Sequence, residues 1–190
     1  SLSPGEPLHE PVHEIMNAGK RAAELTRQLL TFSRHRPFEP KIVDLNEVLS
    51  NMDRMLQRIL GSDIDLISLT ATPLGRVQVD QGSIEQVIMN LAVNARDAMP
   101  KGGRLSIETA NVDLDDSYVQ THVHVQPGPY VMLSASDTGC GMDGQTVQRL
   151  FDPFFSTKFT GRGLGMSAVL GIVKGHNGAI FGLAFRPDGP

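Results

Sequence analysis

Apolar residues return in steps of three and four from Ile15 through Ala18, Ala22, Leu25, Leu29 and Phe32. This heptad-like seam, running on to Arg34, predicts a long helix suited to packing against another helix rather than against a sheet. Pro37 and Pro40 end it. A second helix is predicted from Asp44, with Glu47 three residues on as in a capping box, and with Leu45, Val48, Leu49, Met52, Leu56 and Ile59 on its apolar face up to Gly61. The runs DIDLISL and RVQVD read as short strands. A third helix, capped by Ser83 with Gln86, buries Ile84, Val87, Ile88, Leu91, Ala92 and Ala95. Beyond the turn PKGG lie the strand RLSIETA, a loop from Asp113 to Pro129 and the strand YVMLSAS. A short helix after Met142, a helix from about Leu164 to Lys174 and a β-like run AIFGLAF close the chain. Helices thus mix with mostly non-alternating strands outside any regular βαβ rhythm. The pattern predicts an α+β fold with helices on one face of a sheet.

Composition narrows the setting. With 190 residues, 40% of them hydrophobic and 20% charged, the chain can bury a real core. A net charge of −4 gives no reason to expect nucleic acid as a partner. The single cysteine, Cys140, permits no internal disulfide and agrees with a reducing, cytosolic setting. Nowhere do 18 apolar residues run without interruption, so no membrane span is expected in this chain.

Three groups of polar positions could carry chemistry. Asn90, Asn94 and Asp97 stand at i, i+4 and i+7, one stripe on the third helix. Asparagine amides on a helix are usually just solvated, yet their oxygens are also hard neutral ligands of the kind Mg²⁺ accepts beside nucleotide phosphates. The turn DTGCGM, Asp137 to Met142, is either a tight turn or a place where a ligand comes too close for a Cβ. Asp137 is a turn cap or an acceptor for an exocyclic amino group such as an aminopurine offers. The glycines of GRGLGM, Gly161 to Met166, open a helix whose unpaired amides attract phosphate oxygens. Between the two glycine turns lies a segment rich in Ser, Thr, Lys and Phe that could close as a lid, with Lys158 as a point charge.

In this order the motifs resemble those of the catalytic, ATP-binding domain of bacterial sensor histidine kinases, within the superfamily that includes gyrase B, Hsp90 and MutL. NLAVNARDAMP is similar to the family's N box, DTGCGM to its first glycine box, FDPFFSTK to its F box and GRGLGM to its second glycine box. AAELTRQLLTFSR resembles the second helix of the dimerisation and histidine-phosphotransfer hairpin. The resemblance implies a two-layer α/β sandwich of Bergerat type, its mixed sheet covered on one face by helices and preceded by one long helix. It implies a hairpin remnant over 1–40 and an ATP-binding domain over 41–190.

By position, the resemblance makes Asn94 the Mg²⁺ ligand, supported by Asn90, and Asp137 the acceptor for the adenine amino group. Gly139, Gly141 and Met142 would pass close to the purine. Phe155, Thr157 and Lys158 would come from the lid, and Gly163, Leu164, Gly165 and Met166 would offer the phosphate-binding turn. Asn90, Asn94 and Lys158 are the expected catalytic residues, with ATP and Mg²⁺ as cofactors. The implied partners are a response-regulator receiver domain and the histidine-bearing hairpin of a homodimeric parent kinase, and the implied setting is the cytoplasm, whether or not the parent is anchored in a membrane.

The chain departs from the family in places. Asp97, seven residues after Asn90, stands where many members carry a phosphate-contacting lysine. After HNGAI the chain reads FGLAFRPDGP, and Pro187 and Pro190 cannot continue a central strand, so a last strand is expected to be missing or altered. His13-Glu-Ile-Met-Asn17 imitates a phosphoacceptor motif, but only about 15 residues separate His13 from the RQLL segment and no turn divides them. The acceptor histidine is therefore expected outside this chain. Two other functions remain: an ATP-hydrolysing clamp and a non-catalytic nucleotide-binding scaffold. The clamp would need a glutamate general base where Asn90 stands.

Overall fold

A computed structural model describes residues 38–116, 125–157 and 163–181. The expected helix from Ile15 to Arg34, His13, Lys158 and residues 182–190 lie outside them. Apart from Phe38, the described residues belong to one compact unit, Glu39–Pro190.

Strand β1 (Lys41–Val43) leads into helix α1 (Leu45–Leu60), followed by β2 (Ile64–Thr70), β3 (Val77–Val79) and helix α2 (Gln81–Ala98). Then come β4 (Gly103–Leu114), β5 (Gly128–Asp137), the short helix α3 (Gly144–Arg149) and helix α4 (Gly165–Gly175). β1 and β3 form an antiparallel pair, and β2, β4 and β5 form a sheet in which β4 is parallel to β2 and antiparallel to β5. The expected α+β architecture with a mixed sheet is what the chain adopts.

Helix α1 begins where the pattern places it. The Asp44 carboxylate accepts the amide of Asn46 at 2.9 Å, and Gly61 closes the helix with φ 82°. Its buried stripe is Leu45, Val48, Leu49, Met52, Leu56 and Leu60; Ile59 is only half-buried because the last turns advance by four residues. From Val48 onward these side chains meet Ile88, Ala92, Ala95 and Met99 of α2 and its end, and Ile64, Leu105 and Ile107 of the sheet, in one core. Both helices therefore cover the same sheet face.

Three expectations need correction. Helix α2 starts at Gln81 rather than at Ser83, because Asp80 caps it: its Oδ1 accepts both the amide and the hydroxyl of Ser83 at 2.8 Å. A carboxylate with lone pairs for two donors outcompetes the serine, which becomes part of the first turn. Strand β4 alternates, contrary to the non-alternating reading, with Leu105, Ile107 and Thr109 buried and Arg104 and Glu108 exposed. A one-sided sheet demands that period. Finally, residues 179–181, the start of the β-like run AIFGLAF, belong to no strand.

Candidate nucleotide site

The last two turns of α2 carry the site. Asn90 and Asn94 are half-buried, one turn apart on a single face, and Ala98 follows another turn on. Two loops dock along that face.

The first is the turn after β5. Strand β5 pairs with β4 down to Asp137 opposite Leu105, and Thr138 extends the ladder by donating its amide to the Arg104 carbonyl at 3.1 Å while its hydroxyl accepts the Arg104 amide at 3.0 Å. The end of the strand is therefore fixed on both sides. Asp137 is exposed, and its Oδ1 accepts the Gly139 amide at 2.9 Å, which leaves the carboxylate's other oxygen for a further donor. The chain then turns onto α2, where the Cys140 amide donates to the Ala98 carbonyl at 3.1 Å. A Cβ on Gly139 would lie 2.7 Å from both Cβ and the carbonyl oxygen of Ala98. The closeness that excludes a side chain at Gly139 is thus to the helix itself. Gly141 has φ 67°, in the left-handed region. Met142 beside it is half-buried.

The second loop brings in α4. Gly163, with φ 63°, lies against the backbone of Phe154 and Phe155, and its carbonyl accepts the Phe154 amide at 3.0 Å. The F-box residues and the second glycine turn are thereby joined. Phe155 is half-buried under the Arg149 guanidinium, 4.3 Å from its ring centre, whereas Phe154 is 78% exposed with φ 65°. Thr157 is exposed. Helix α4 opens at Leu164 without a capping side chain, the kind of helix start to which anions bind. Asn90 Nδ2 donates to the Gly165 carbonyl at 3.3 Å, and a Cβ on Gly165 would lie 3.8 Å from the side-chain amides of both Asn90 and Asn94. Met166 and Leu164 are half-buried at the same turn.

The structure thus brings Asn90 and Asn94 beside Gly165, which stands between Leu164 and Met166 in the chain, and fastens the turn that holds Asp137, Gly139 and Gly141 to Ala98 one helical turn further on. Asp97 is exposed and its Oδ1 accepts from Arg96 Nε and Nη2 at 3.2 and 2.9 Å, so the acid carries a cationic partner of its own. The two carboxamides are hard donors, and among the described residues no group of three or more His, Cys, Asp or Glu could hold a metal. A Mg²⁺ ion brought in by nucleotide phosphates and sharing one or two protein oxygens fits that donor set.

Sequence reasoning missed Ala98, whose role is carried by a backbone carbonyl, and His176. The His176 Nε2 accepts the Asp80 amide at 2.9 Å, and its Nδ1 lies 2.7 Å from the Ile172 carbonyl. Burial alone would raise the Asp80 carboxyl, but hydrogen bonds from the Ser83 hydroxyl and amide and from the backbone of Glu39 work against it, and the group lies below its ordinary value. An Asp-x-x-Ser signal before an apolar run was available for the cap; nothing local marked the histidine.

An uncapped helix start and a glycine turn set along one asparagine-bearing helix define a class, and the chain belongs to the family of histidine kinase-, DNA gyrase B- and HSP90-like ATPases, whose match runs over residues 79–182, more than half its length. Within that family its similarities are to sensor histidine kinases. It is 39% identical, over 93% of its length, to the sensor kinase CckA of Brucella abortus, of which it covers 19%. It is 31% identical, over 90% of its length, to the sensor histidine kinase ZraS of Klebsiella oxytoca, of which it covers 34%. Among solved structures, the mycobacterial sensor histidine kinase MprB superposes with a TM-score of 0.57 at 26% identity, covering 75% of this chain and 82% of that one. The chain therefore spans well under half of the curated relatives it matches. Among the described residues no helix is long and apolar enough to cross a membrane.

Proposed function

We propose that this chain is the ATP-binding catalytic part of a two-component sensor histidine kinase. The observation that carries the reading is the convergence on α2: Asn90 and Asn94 face the uncapped start of α4, while the turn holding Asp137 is fastened to Ala98 of the same helix. Adenine would lie by Asp137 and the phosphates by Gly163, Leu164 and Gly165, with Lys158 and Thr157 reaching in from the lid. Mg²⁺ would be held by Asn94, with Asn90 in support, and would neutralise phosphate charge. Residues 41–190 form the catalytic domain in this reading, and 1–40 carry the second helix of the phosphotransfer hairpin.

In the reaction, a histidine ring nitrogen on another segment attacks the γ-phosphorus. The bond from that phosphorus to the β–γ bridging oxygen breaks, ADP leaves with the electron pair, and a phosphohistidine forms. Positioning and electrostatics do most of the work in such a transfer. The likeness to sensor kinases supports a receiver domain as the next phosphate acceptor, a homodimeric parent and a cytoplasmic site for this domain. Asn90 favours transfer over hydrolysis, since a carboxamide cannot act as the general base that activates water.

The test is transfer in trans. The chain, labelled ATP and a separate protein carrying the parent's histidine-bearing hairpin are incubated together, and acid-labile, alkali-stable label is sought. Label on the hairpin that vanishes with Asn94→Ala supports the proposal; ATP bound but no label transferred would leave the scaffold reading standing instead.

A further inference from the structure

Helices α2 and α4 run antiparallel and are tied at two places. At the site end, Asn90 Nδ2 donates to the Gly165 carbonyl at 3.3 Å. At the far end, the Asp80 amide donates to His176 Nε2 at 2.9 Å. Asp80 precedes Asn90 by ten residues and His176 follows Gly165 by eleven. At roughly 1.5 Å of rise per residue, both ties lie about 15 Å apart along matched lengths of helix. The short tie is the remote one.

The chemistry of the remote tie is determined by its partners. The Ile172 carbonyl, 2.7 Å from Nδ1, can only accept, and the Asp80 amide can only donate. This tie thus uses the neutral tautomer of His176, with the proton on Nδ1 and the lone pair on Nε2. The backbone amide of His176 also donates to the Ile172 and Val173 carbonyls, at 3.2 and 3.1 Å. One residue thus closes the end of α4 and fastens that end to the start of α2.

Helix α4 depends on such a fastening more than most helices do. It has eleven residues, three of them glycine (Gly165, Gly171 and Gly175), and no side chain caps its start. Each helical glycine costs about 1 kcal/mol relative to alanine, and helices this short are marginal without tertiary support. Ala168 and Val169 are its only fully buried side chains among the described residues, and both are small. The direction of the first turn, whose Gly165 lies beside Asn90 and Asn94, is therefore set largely by where the other end is held.

We propose that His176 is a positioning residue for the phosphate half of the nucleotide site: its neutral imidazole pins α4 to the start of α2 and so aims the Gly165–Ser167 turn at the asparagines about 15 Å away. This rests on the nucleotide reading above for its consequence in binding, but not for its structural content. Adenine recognition, which depends on β5 and Asp137, should be untouched by loss of the pin.

Two variants test it. His176→Phe keeps a ring and removes both nitrogens; His176→Gln keeps an amide oxygen that can reach the Asp80 N–H. Without nucleotide, hydrogen exchange at residues 166–169 should speed up in His176→Phe while core amides of α1 and β4 stay as slow as in the parent, and His176→Gln should restore most of the protection. With nucleotide, His176→Phe should weaken ATP about five- to tenfold, the scale of one hydrogen bond, and leave adenosine unchanged. An unmoved ratio of ATP to adenosine affinity, with only a lower melting temperature, would overturn the proposal. If the parent chain binds no ATP, the nucleotide reading fails, and the exchange data alone decide whether the pin exists. If His176→Phe does not fold, nitrogen-detected NMR of the parent decides: a proton on Nδ1 supports the pin, a proton on Nε2 refutes it.

Discussion

Asp137 carries the adenine assignment on one carboxylate oxygen, because the other is taken by the Gly139 amide at 2.9 Å. Asp137→Asn should weaken ATP and ADP by about 1.5–3 kcal/mol, the scale of a hydrogen bond to a charged group, in a fluorescent-nucleotide displacement titration. Loss of less than threefold would remove this residue from adenine recognition. Gly139→Ala should cost on the order of 1–3 kcal/mol of stability by overpacking, since the new methyl would meet Ala98 at 2.7 Å; urea unfolding measures it. Asp80→Ala should cost about 1 kcal/mol at neutral pH through the lost cap. Because the folded Asp80 carboxyl titrates below its ordinary value, its contribution is full above about pH 4 and is lost as pH falls through the depressed folded value. Unfolding curves of the parent and the variant should therefore converge in strong acid, and a gap that persists or widens there would contradict the assignment. Individual residues were legible when a backbone rule pointed at them, as for Asp44 and Gly61. Asp80 was obscured by Ser83, which offers a plausible cap three residues later. His176 was hidden because its partner lies 96 residues away in sequence.

At the scale of elements, α2 is the spine of both the core and the site. Its buried residues Ile88, Ala92 and Ala95 face α1 and the sheet, while Asn90 and Asn94 turn toward α4. Amphipathic periodicity made α1 and α2 readable, since period 3.6 separates the two faces cleanly. β4 and β5 were readable as strands but not in length. β4 extends to Leu114 and β5 starts at Gly128, because the two pair through Asn111, Asp113, Gly128 and Pro129, residues that read as a loop by composition. Hydrogen bonding, which the hydrophobic pattern does not encode, sets those ends. Leu56 of α1 is 1% exposed in the core, and Leu56→Ala should cost about 2–5 kcal/mol in urea unfolding. The α3 and F-box segment should gain protection from hydrogen exchange on adding a non-hydrolysable ATP analogue. Phe154, now 78% exposed, gives that segment apolar surface still to bury. Unchanged exchange over residues 143–157 would argue against closure on the nucleotide.

For the molecule as a whole, the four boxes became interpretable only together. Each alone is a turn, a polar stripe or an aromatic cluster; their order along the chain identified the family, and the fold then showed why the order matters. Two loops distant in sequence, after β5 and before α4, return to one face of one helix. What stayed illegible was the tie that holds α4 at its remote end, a contact between single atoms rather than a pattern. The central claim is an adenine-nucleotide site spread along α2, and titration calorimetry with ATP, ADP and GTP, each with and without Mg²⁺, tests it most directly. ATP and ADP should bind, strengthened by Mg²⁺ in a way that Asn94→Ala abolishes. GTP should bind much more weakly, since its base presents a carbonyl to Asp137 where adenine presents an amino group. Equal affinities for ATP and GTP, or ATP binding indifferent to both Mg²⁺ and Asn94, would contradict that claim.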